Sequence, residues 1–481
     1  MIAEFYRHRK FAFKWIGIAF VIKLALFIFF AVNFYLNWPK DMITNVIFNA
    51  SGDTSGYYAP LESLVQGKGY YSYGRMPAML PIYVPLRLFF SVAWTKTVII
   101  VLQFLTSVVS VYVLAKTAKL VFKKDRIFYL TFFIYAFSSF VSIWDNVGYM
   151  DSFGTSFLIF SVYFSVQYKI TSKWKYLFYS GFFIAWSIFF RQLHGLVIPL
   201  TLLYLVDLRN IKKTVTAGFI YCSVLILSTS VWAYKNYKDF GKPVFLTGSL
   251  TECFPNMITE ELLNIRELIT VWGGDTQPWV KGSDAEWFFS RKVDSDHTKP
   301  DTKNIYTKEY TIDSLRNLKS MYLTVKSDTS VGEETKVLLK AKINEAAKRY
   351  TASYKQEHFF RAYVINKLII TRRFVLPPRL DDIPFPALNK MNFVQKAVKG
   401  GYYLFLLFVN IFGILGALLA LRRHTFLASI PLAFIFVLTF VFGFVEQRYL
   451  VPAYCFLVIF VAYVMDKGYE FYLARFKKAN K

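Results

Sequence analysis

Apolar residues fall along this chain in long, unbroken blocks separated by short polar links. The blocks lie near residues 15–36, 97–115, 127–144, 152–168, 176–190, 193–206, 214–234, 401–421, 425–445 and 449–465. Many are close to the roughly 17 to 25 residues that a helix needs to cross a hydrocarbon layer about 30 Å thick. A membrane β-barrel would instead show segments of about ten residues with alternating polarity. The pattern predicts an all-α polytopic membrane protein with about ten to eleven transmembrane helices. One further block, near 77–93, is interrupted by Pro77, Pro81, Pro85 and Arg87. It reads as a helix lying at the interface or partly re-entrant rather than as a full span.

Charge gives this pattern a direction. The formal net charge is +26, which in a soluble chain would raise nucleic acid as a partner. Here much of the excess sits in short links, at 7–10, 116–126, 168–175, 207–213, 421–424 and the tail from 466. With ten spans these all fall on one side, and the positive-inside rule makes that side cytoplasmic. No nucleic-acid partner is expected. The links 144–151, 191–195 and 446–452 are poor in Lys and Arg and fall on the opposite, external face. The apolar stretch that ends near Leu36 is too long for the apolar core of a signal peptide and reads as an uncleaved anchor, in which Lys23 snorkels or faces other helices.

The same count divides the chain into an N-terminal transmembrane catalytic module over 1–234, with a first external loop at 37–95, an external domain over 235–399, and C-terminal transmembrane helices with a basic tail over 400–481. The stretch 249–330 has few strong patterns. Residues 333–350 have apolar positions at helical spacing after an acidic start, and the Pro-rich stretch that begins at Val375 ends the helical region. The external domain is therefore expected to be small and mostly helical. Three scattered cysteines and five histidines form no CxxC, HExxH or HxH arrangement, so no disulfide framework or zinc site is expected. Phosphate-binding glycine loops are also missing from the sequence.

Few ionisable residues remain on the expected external face. The first loop carries Asp53, Glu62 and Arg75, the second Asp145 and Asp151, the third Arg191 and His194, and the last Glu446 and Arg448. Ionisable groups beside hydrocarbon are costly to desolvate, which makes them functional candidates. Arginines bind phosphate through paired, charge-assisted hydrogen bonds, and a carboxylate can take a proton from an attacking group. The set suits chemistry on a phosphate-bearing lipid. Each residue also has a plainer reading. Asp53 is a competent helix N-cap, Asp151 a carboxylate complementing a helix dipole, Arg75 and Arg191 interfacial anchors, Glu62 a solvated face residue and His194 a structural hydrogen-bonding group.

Several stretches together resemble a known family. They are GDTSGYYAPLESLVQGKGYY at 52–71, GRMPAMLPIY at 74–83, WDNVGYMDSFGTSFLIF at 144–160, WAYKNYKDFGKPVFLTG at 232–248 and EQRYLVPAY at 446–454. The pattern is similar to that of the GT-C glycosyltransferases that use polyprenyl-phosphate-linked sugars, among them protein O-mannosyltransferases and the aminoarabinose transferases that modify lipid A. The resemblance implies the GT-C fold, with Asp53 at the position of the catalytic base and Asp151 at that of the second-loop acid. It makes Arg75 a contact to the lipid phosphate and brings Tyr57 into the substrate site. The chain departs from the pattern in having Met76 in place of a second proline, Lys235 where Arg is usual, and Gly56 where some relatives carry Arg.

The implied reaction is attack by an acceptor hydroxyl, deprotonated by Asp53, on the anomeric carbon of a sugar carried by undecaprenyl or dolichyl phosphate, with inversion. Arg75, helped by Arg191 or Arg448, would stabilise the leaving phosphate, with His194 and Glu446 completing the substrate-binding set. No cofactor is demanded, although a divalent ion between Asp53 and Asp151 is conceivable. The expected partners are the lipid-linked donor, a protein, lipid or glycan acceptor, and the surrounding membrane lipids. A bacterial or archaeal plasma membrane is the expected location, with the endoplasmic reticulum next. Two other readings use the same substrates: a polysaccharide ligase or polymerase, and a lipid-linked sugar transporter.

Overall fold

A computed structural model describes residues 2–37, 47, 49–50, 54–72, 75–148, 150–253, 258–276, 283–289, 305–327, 330–377, 385–386, 388–443 and 446–479. Among the described residues every regular element is a helix, and the pairing of Asn49 with Val147 is an isolated parallel bridge. The chain divides into two compact units. One comprises Met1–Gly248, Arg379–Phe434 and Val451–Lys481, and the other Ser249–Pro378 and Ile435–Leu450.

The first unit opens with α1 (Ile2–Asn37), α2 (Thr54–Val65), α3 (Leu80–Arg87), α4 (Val92–Phe122), α5 (Asp125–Ala136), α6 (Ser139–Ser142), α7 (Asp151–Thr171), α8 (Trp174–Phe190), α9 (Val197–Leu205) and α10 (Ile211–Phe240). Its α3 has 8 residues, a rise of about 12 Å at about 1.5 Å per residue. The proline-interrupted block at 77–93 therefore does not span. Ser91 ends it by capping α4, its side chain accepting from the Trp94 amide.

α7 and α8 pack through small hydroxyl residues. The Ser161 hydroxyl donates to the Ser180 carbonyl at 2.9 Å, and Ser165 and Ser180 share a 2.7 Å bond. Stacked rings flank this seam, Phe153 on Phe190 at 5.5 Å and Phe164 on Phe183 at 5.7 Å. Behind it, Gly181 lets α8 approach α10 so closely that a Cβ would lie 2.2 Å from the Tyr221 carbonyl oxygen. Small residues at such crossings are how membrane helices gain van der Waals contact without a hydrophobic drive between them.

The second unit contains α11 (Leu250–Cys253), α12 (Glu260–Val271), α13 (Asp284–Phe289), α14 (Ile312–Ser327), α15 (Glu333–Glu357) and α16 (Asn366–Val375). Thr259 caps α12 and two acidic residues follow it, which favours the positive end of the helix dipole. Its core joins Ile265, Leu268, Trp287, Phe288, Tyr310, Leu318, Ile343 and Tyr354. Asn366 closes that core by donating to the Val271 carbonyl at 2.8 Å and to the Tyr354 hydroxyl at 3.1 Å.

The chain ends with α17 (Phe393–Ala420), α18 (Thr425–Phe436) and α19 (Val451–Ala479). α17 starts at a reciprocal capping box between Asn392 and Gln395, and it meets α19 at Gly413 and Gly416.

Among the described residues, five helices are long and apolar enough to cross a membrane: Arg9–Asn37, Val92–Phe122, Ile211–Phe240, Phe393–Ala420 and Gln447–Arg475. A sixth span forms if Asp125–Ala136 and Ser139–Asn146, bent by 51° at their break, are counted together. The other apolar blocks also form helices, namely α7, α8 and the shorter apolar helices Gln192–Leu205 and Thr425–Val441. The protein is an integral, multi-pass, all-α membrane protein.

Candidate active site

The site is built where links between helices of the first unit meet. Asp151 opens α7 and Arg191 closes α8. The two are far apart in sequence, but α7 and α8 run as neighbours and bring them together. Arg191 Nε donates to Asp151 Oδ1 and Nη2 to Oδ2, each at 2.6 Å. Both residues are only 7% exposed, so this is a buried two-point guanidinium–carboxylate pair, the strong geometry for such groups.

Tyr57 of α2 lies beside this pair. The Arg191 guanidinium carbon is 5.9 Å from the Tyr57 ring centroid, and that of Arg75 is 4.4 Å from the same ring. Arg75 Nη1 also donates to the Tyr57 hydroxyl at 2.9 Å. The backbone around Arg75 is pinned at two points, with its amide on the Ser72 hydroxyl and its carbonyl accepting from the Tyr70 hydroxyl. Arg75, Tyr57, Arg191 and Asp151 thus form one cluster, with two guanidinium groups converging on a single aromatic ring.

A strap ties the first loop to the link that carries Asp151. The Asn49 amide donates to the Asn146 carbonyl and the Gly148 amide to the Asn49 carbonyl, each at 3.1 Å. From α4, buried Gln103 donates its side-chain amide to the Trp144 carbonyl at 2.8 Å and the Val147 carbonyl at 3.1 Å. These bonds serve backbone groups of the loop and of the short helical turn before α7, as buried backbone requires. Asp53, the expected base, lies four residues beyond Asn49 and outside the described residues.

Asp145 does not join the cluster. It is fully buried and pairs with Lys23 of α1 at 2.8 Å, while the Ser152 hydroxyl donates to its other oxygen at 2.5 Å. Lys23 also donates to the Ser142 hydroxyl at 2.9 Å. Lys23 therefore faces other helices instead of snorkelling, and the pair fixes the turn that leads into α7. The one sign of this role in the sequence is a lone lysine inside an apolar span.

His194 is buried and shares a 2.6 Å hydrogen bond through Nδ1 with the Ser187 hydroxyl, which donates to the Gly154 carbonyl at 2.7 Å. Its ring packs where a Cβ on Gly154 would come within 3.0 Å. In this geometry it braces α7 against α8, the structural hydrogen-bonding role that its sequence position also allowed.

Glu62 is not a solvated face residue either. Its oxygens accept from Arg87 Nε and Nη2, each at 2.9 Å, and from the Tyr83 hydroxyl at 2.8 Å. The Arg87 hydrogen bonds hold its carboxyl down at about 2, and the pair clamps α2 to α3. Glu446 and Arg448 form an ion pair with each other in the second compact unit.

The stretch 232–248 also has a physical explanation. Trp232 and Asn236 are one turn apart on α10. Trp232 Nε1 donates to the Leu246 carbonyl at 2.8 Å and Asn236 Nδ2 to the Val244 carbonyl at 2.9 Å. Gly241, at φ +70, ends the helix in the left-handed conformation that glycine adopts at little cost. The emerging chain is thereby folded back along its own helix. Lys235 pairs with Asp239 at 2.7 Å and lies 5.3 Å from the Tyr70 ring centroid, joining this stretch to the loop that holds Arg75.

Among the described residues, no group of three or more His, Cys, Asp or Glu side chains is arranged to hold a metal ion.

Residues 81–234 match the family described as dolichyl-phosphate-mannose-protein mannosyltransferase, which is part of the GT-C superfamily. The matched stretch contains Asp145, Asp151, Arg191 and His194; Asp53, Tyr57 and Arg75 precede it. No curated protein and no solved structure matches the chain. The family match and the multi-pass helical architecture support a membrane glycosyltransferase of the GT-C type.

Proposed function

We propose that this protein transfers a sugar from a polyprenyl-phosphate donor to an acceptor hydroxyl, with inversion at the anomeric carbon, on the membrane face opposite its basic links. The observation that carries this reading is the convergence of Arg75 and Arg191 on Tyr57 beside Asp151. A phosphate leaving group departs as an anion, so its transition state calls for fixed cations more than for a proton donor. Arg75 binds the donor phosphate, and Arg191, oriented by Asp151, supplies the second positive group. Asp151 acts as a positioning residue, since both of its oxygens are held by the guanidinium. Asp53 is the base that takes the acceptor proton, and Tyr57 offers a ring against which the sugar or the isoprenoid head can pack. The acceptor hydroxyl is carried by a protein, the acceptor class of the matched family.

The test is transfer from a panel of radiolabelled polyprenyl-phosphate sugars in membranes expressing the wild type, Asp53→Asn or Arg75→Ala at matched protein levels. The expected result is transfer by the wild type, a drop of about 10²-fold or more in Asp53→Asn, and a drop of about 10²- to 10³-fold in Arg75→Ala. Full activity in Asp53→Asn removes the base assignment. Movement of labelled lipid across the bilayer, with no transfer from any donor, replaces the enzyme by a transporter.

A further inference from the structure

The far end of the first unit contains a cavity of about 390 Å³ that the proposed reaction does not use. It is lined by Val166 and Ile170, close to the C-terminal end of α7, whereas Asp151 opens that helix. At about 1.5 Å per residue the cavity lies about 22 to 28 Å along α7 from Asp151. It therefore sits at the end of the unit that carries the basic links.

Its walls are of two kinds. Val121, Ile170 and Leu427 are apolar, and Arg423 and His424 of the link between α17 and α18, with Thr425 at the start of α18, are polar. Aromatic pairs hold this link in place. Tyr204 stacks on Phe426 at 4.2 Å with a 9° angle between rings, and Phe122 packs on His424 at 4.4 Å. Lys169 anchors the neighbouring backbone by donating to the Tyr204 carbonyl at 2.9 Å.

The charges at this end do not balance locally. Asp466 is taken by Lys124 at 2.6 Å and Arg126 at 3.1 Å, Glu470 by Lys124 and Lys467, and Asp125 by Lys119. These carboxylates are committed to the turn between α4 and α5 and to α19. Among the described residues, none pairs with Arg422 or Arg423. An arginine lining a half-apolar cavity, with a helix N-terminus beside it at Thr425, brings donors for a phosphate ester into the same cavity as an apolar lining for hydrocarbon. A volume of this size holds a headgroup and the first carbons of its chains.

We propose that this cavity binds the phosphate headgroup of an anionic phospholipid, with Arg423 on the phosphate and an acyl chain along Val121, Ile170 and Leu427. Basic pockets between membrane helices bind anionic lipids through this combination of charge and apolar wall. A freely soluble phosphate would gain the charge contact but leave the apolar wall unfilled.

The test uses the full-length protein in phosphatidylcholine nanodiscs doped with phosphatidylglycerol, with retained lipid counted by native mass spectrometry. Wild type is expected to keep phosphatidylglycerol under activation that strips phosphatidylcholine. Arg423→Gln should lower that retention about tenfold, the loss of one charge-assisted contact. Ile170→Trp, which fills the slot without touching charge, should also lower it. Lys342→Gln, which removes a positive charge from α15, should leave it unchanged. Equal retention of the two lipids by wild type overturns the proposal, as does retention unaffected by both Arg423→Gln and Ile170→Trp. Thermal stabilisation by inorganic phosphate or glycerol 3-phosphate equal to that from phosphatidylglycerol also overturns it, in favour of a soluble-phosphate site.

Discussion

The pair between Asp151 and Arg191 makes a quantitative prediction. Both groups are withdrawn from water, and their two hydrogen bonds are each 2.6 Å long. Deleting one member of a buried pair leaves the other charge without its compensating partner, which costs about 3–5 kcal/mol, whereas replacing both by apolar groups of similar volume is often close to neutral. Asp151→Leu and Arg191→Met alone should each destabilise the protein by about that amount, and the double variant by less than either single one. The double-mutant cycle should therefore give a coupling energy of at least about 3 kcal/mol. Unfolding in a fixed detergent measures this, with sugar transfer assayed in parallel. Transfer should be lost in all three variants, because the double variant repairs the desolvation cost without restoring a cation for the phosphate. Arg191→Lys should recover less than half of the coupling, since an ammonium cannot make the two parallel bonds. Additive single effects, with coupling below about 0.5 kcal/mol, would refute the claim that this pair is tightly coupled. A double variant that transfers normally would refute the phosphate role of Arg191.

Further outcomes follow from other contacts. The clamp between Glu62 and Arg87 holds a carboxyl at about 2, below its usual 4.5. The depressed value means that its contribution is complete above about pH 4.5 and is lost as pH falls toward 2; after allowance for partial exposure this is about 1 kcal/mol. pH-resolved thermal unfolding should show an acid-side loss that is smaller in Glu62→Gln than in wild type. Asn236→Ala removes a donor from the Val244 carbonyl, which should cost about 1–3 kcal/mol and speed proteolysis within 241–248, seen as a new early fragment by mass spectrometry. Gly416→Ala places a Cβ 2.4 Å from the Phe460 carbonyl oxygen and 2.8 Å from a Val464 methyl carbon. Because backbone cannot yield as a side chain does, it should cost about 1–3 kcal/mol, whereas Gly400→Ala, in the same helix with open space around it, should not lower the unfolding midpoint and should raise stability by up to about 1 kcal/mol of helix propensity.

Some of these features could be read from the chain in advance, and the reason lies in their range. Trp232, Asn236 and Gly241 act on carbonyls within fourteen residues, so their spacing already contains their geometry. Helix α12 was equally local: Leu262, Ile265, Leu268 and Ile269 recur at helical spacing behind Thr259 and two glutamates. It does not stand out in the sequence because the surrounding polar stretch masks so short a period. His194 and Glu62 could not be read in this way. Glu62 takes its role from Arg87, twenty-five residues away on another helix, and Ser187, although only seven residues from His194, lies on a different element, so neither pairing follows from the period of one helix.

What the sequence alone determined is the membrane-spanning, all-helical character of the protein and the set of polar residues set apart from the apolar blocks. Hydrocarbon imposes these locally, since every backbone group must be satisfied within its own helix and every block must reach across the same thickness. Only the tertiary structure decided which of those polar residues meet. Asp151 finds Arg191 because α7 and α8 seat serine against serine. Asp145 is taken instead by Lys23 because α1 lies against the turn before α7. Arg75 reaches Tyr57 because two short helices are clamped beside the spans. A carboxylate in an apolar setting must find a cation, but which cation depends on which helices pack together, and periodicity along one helix carries no information about its neighbour.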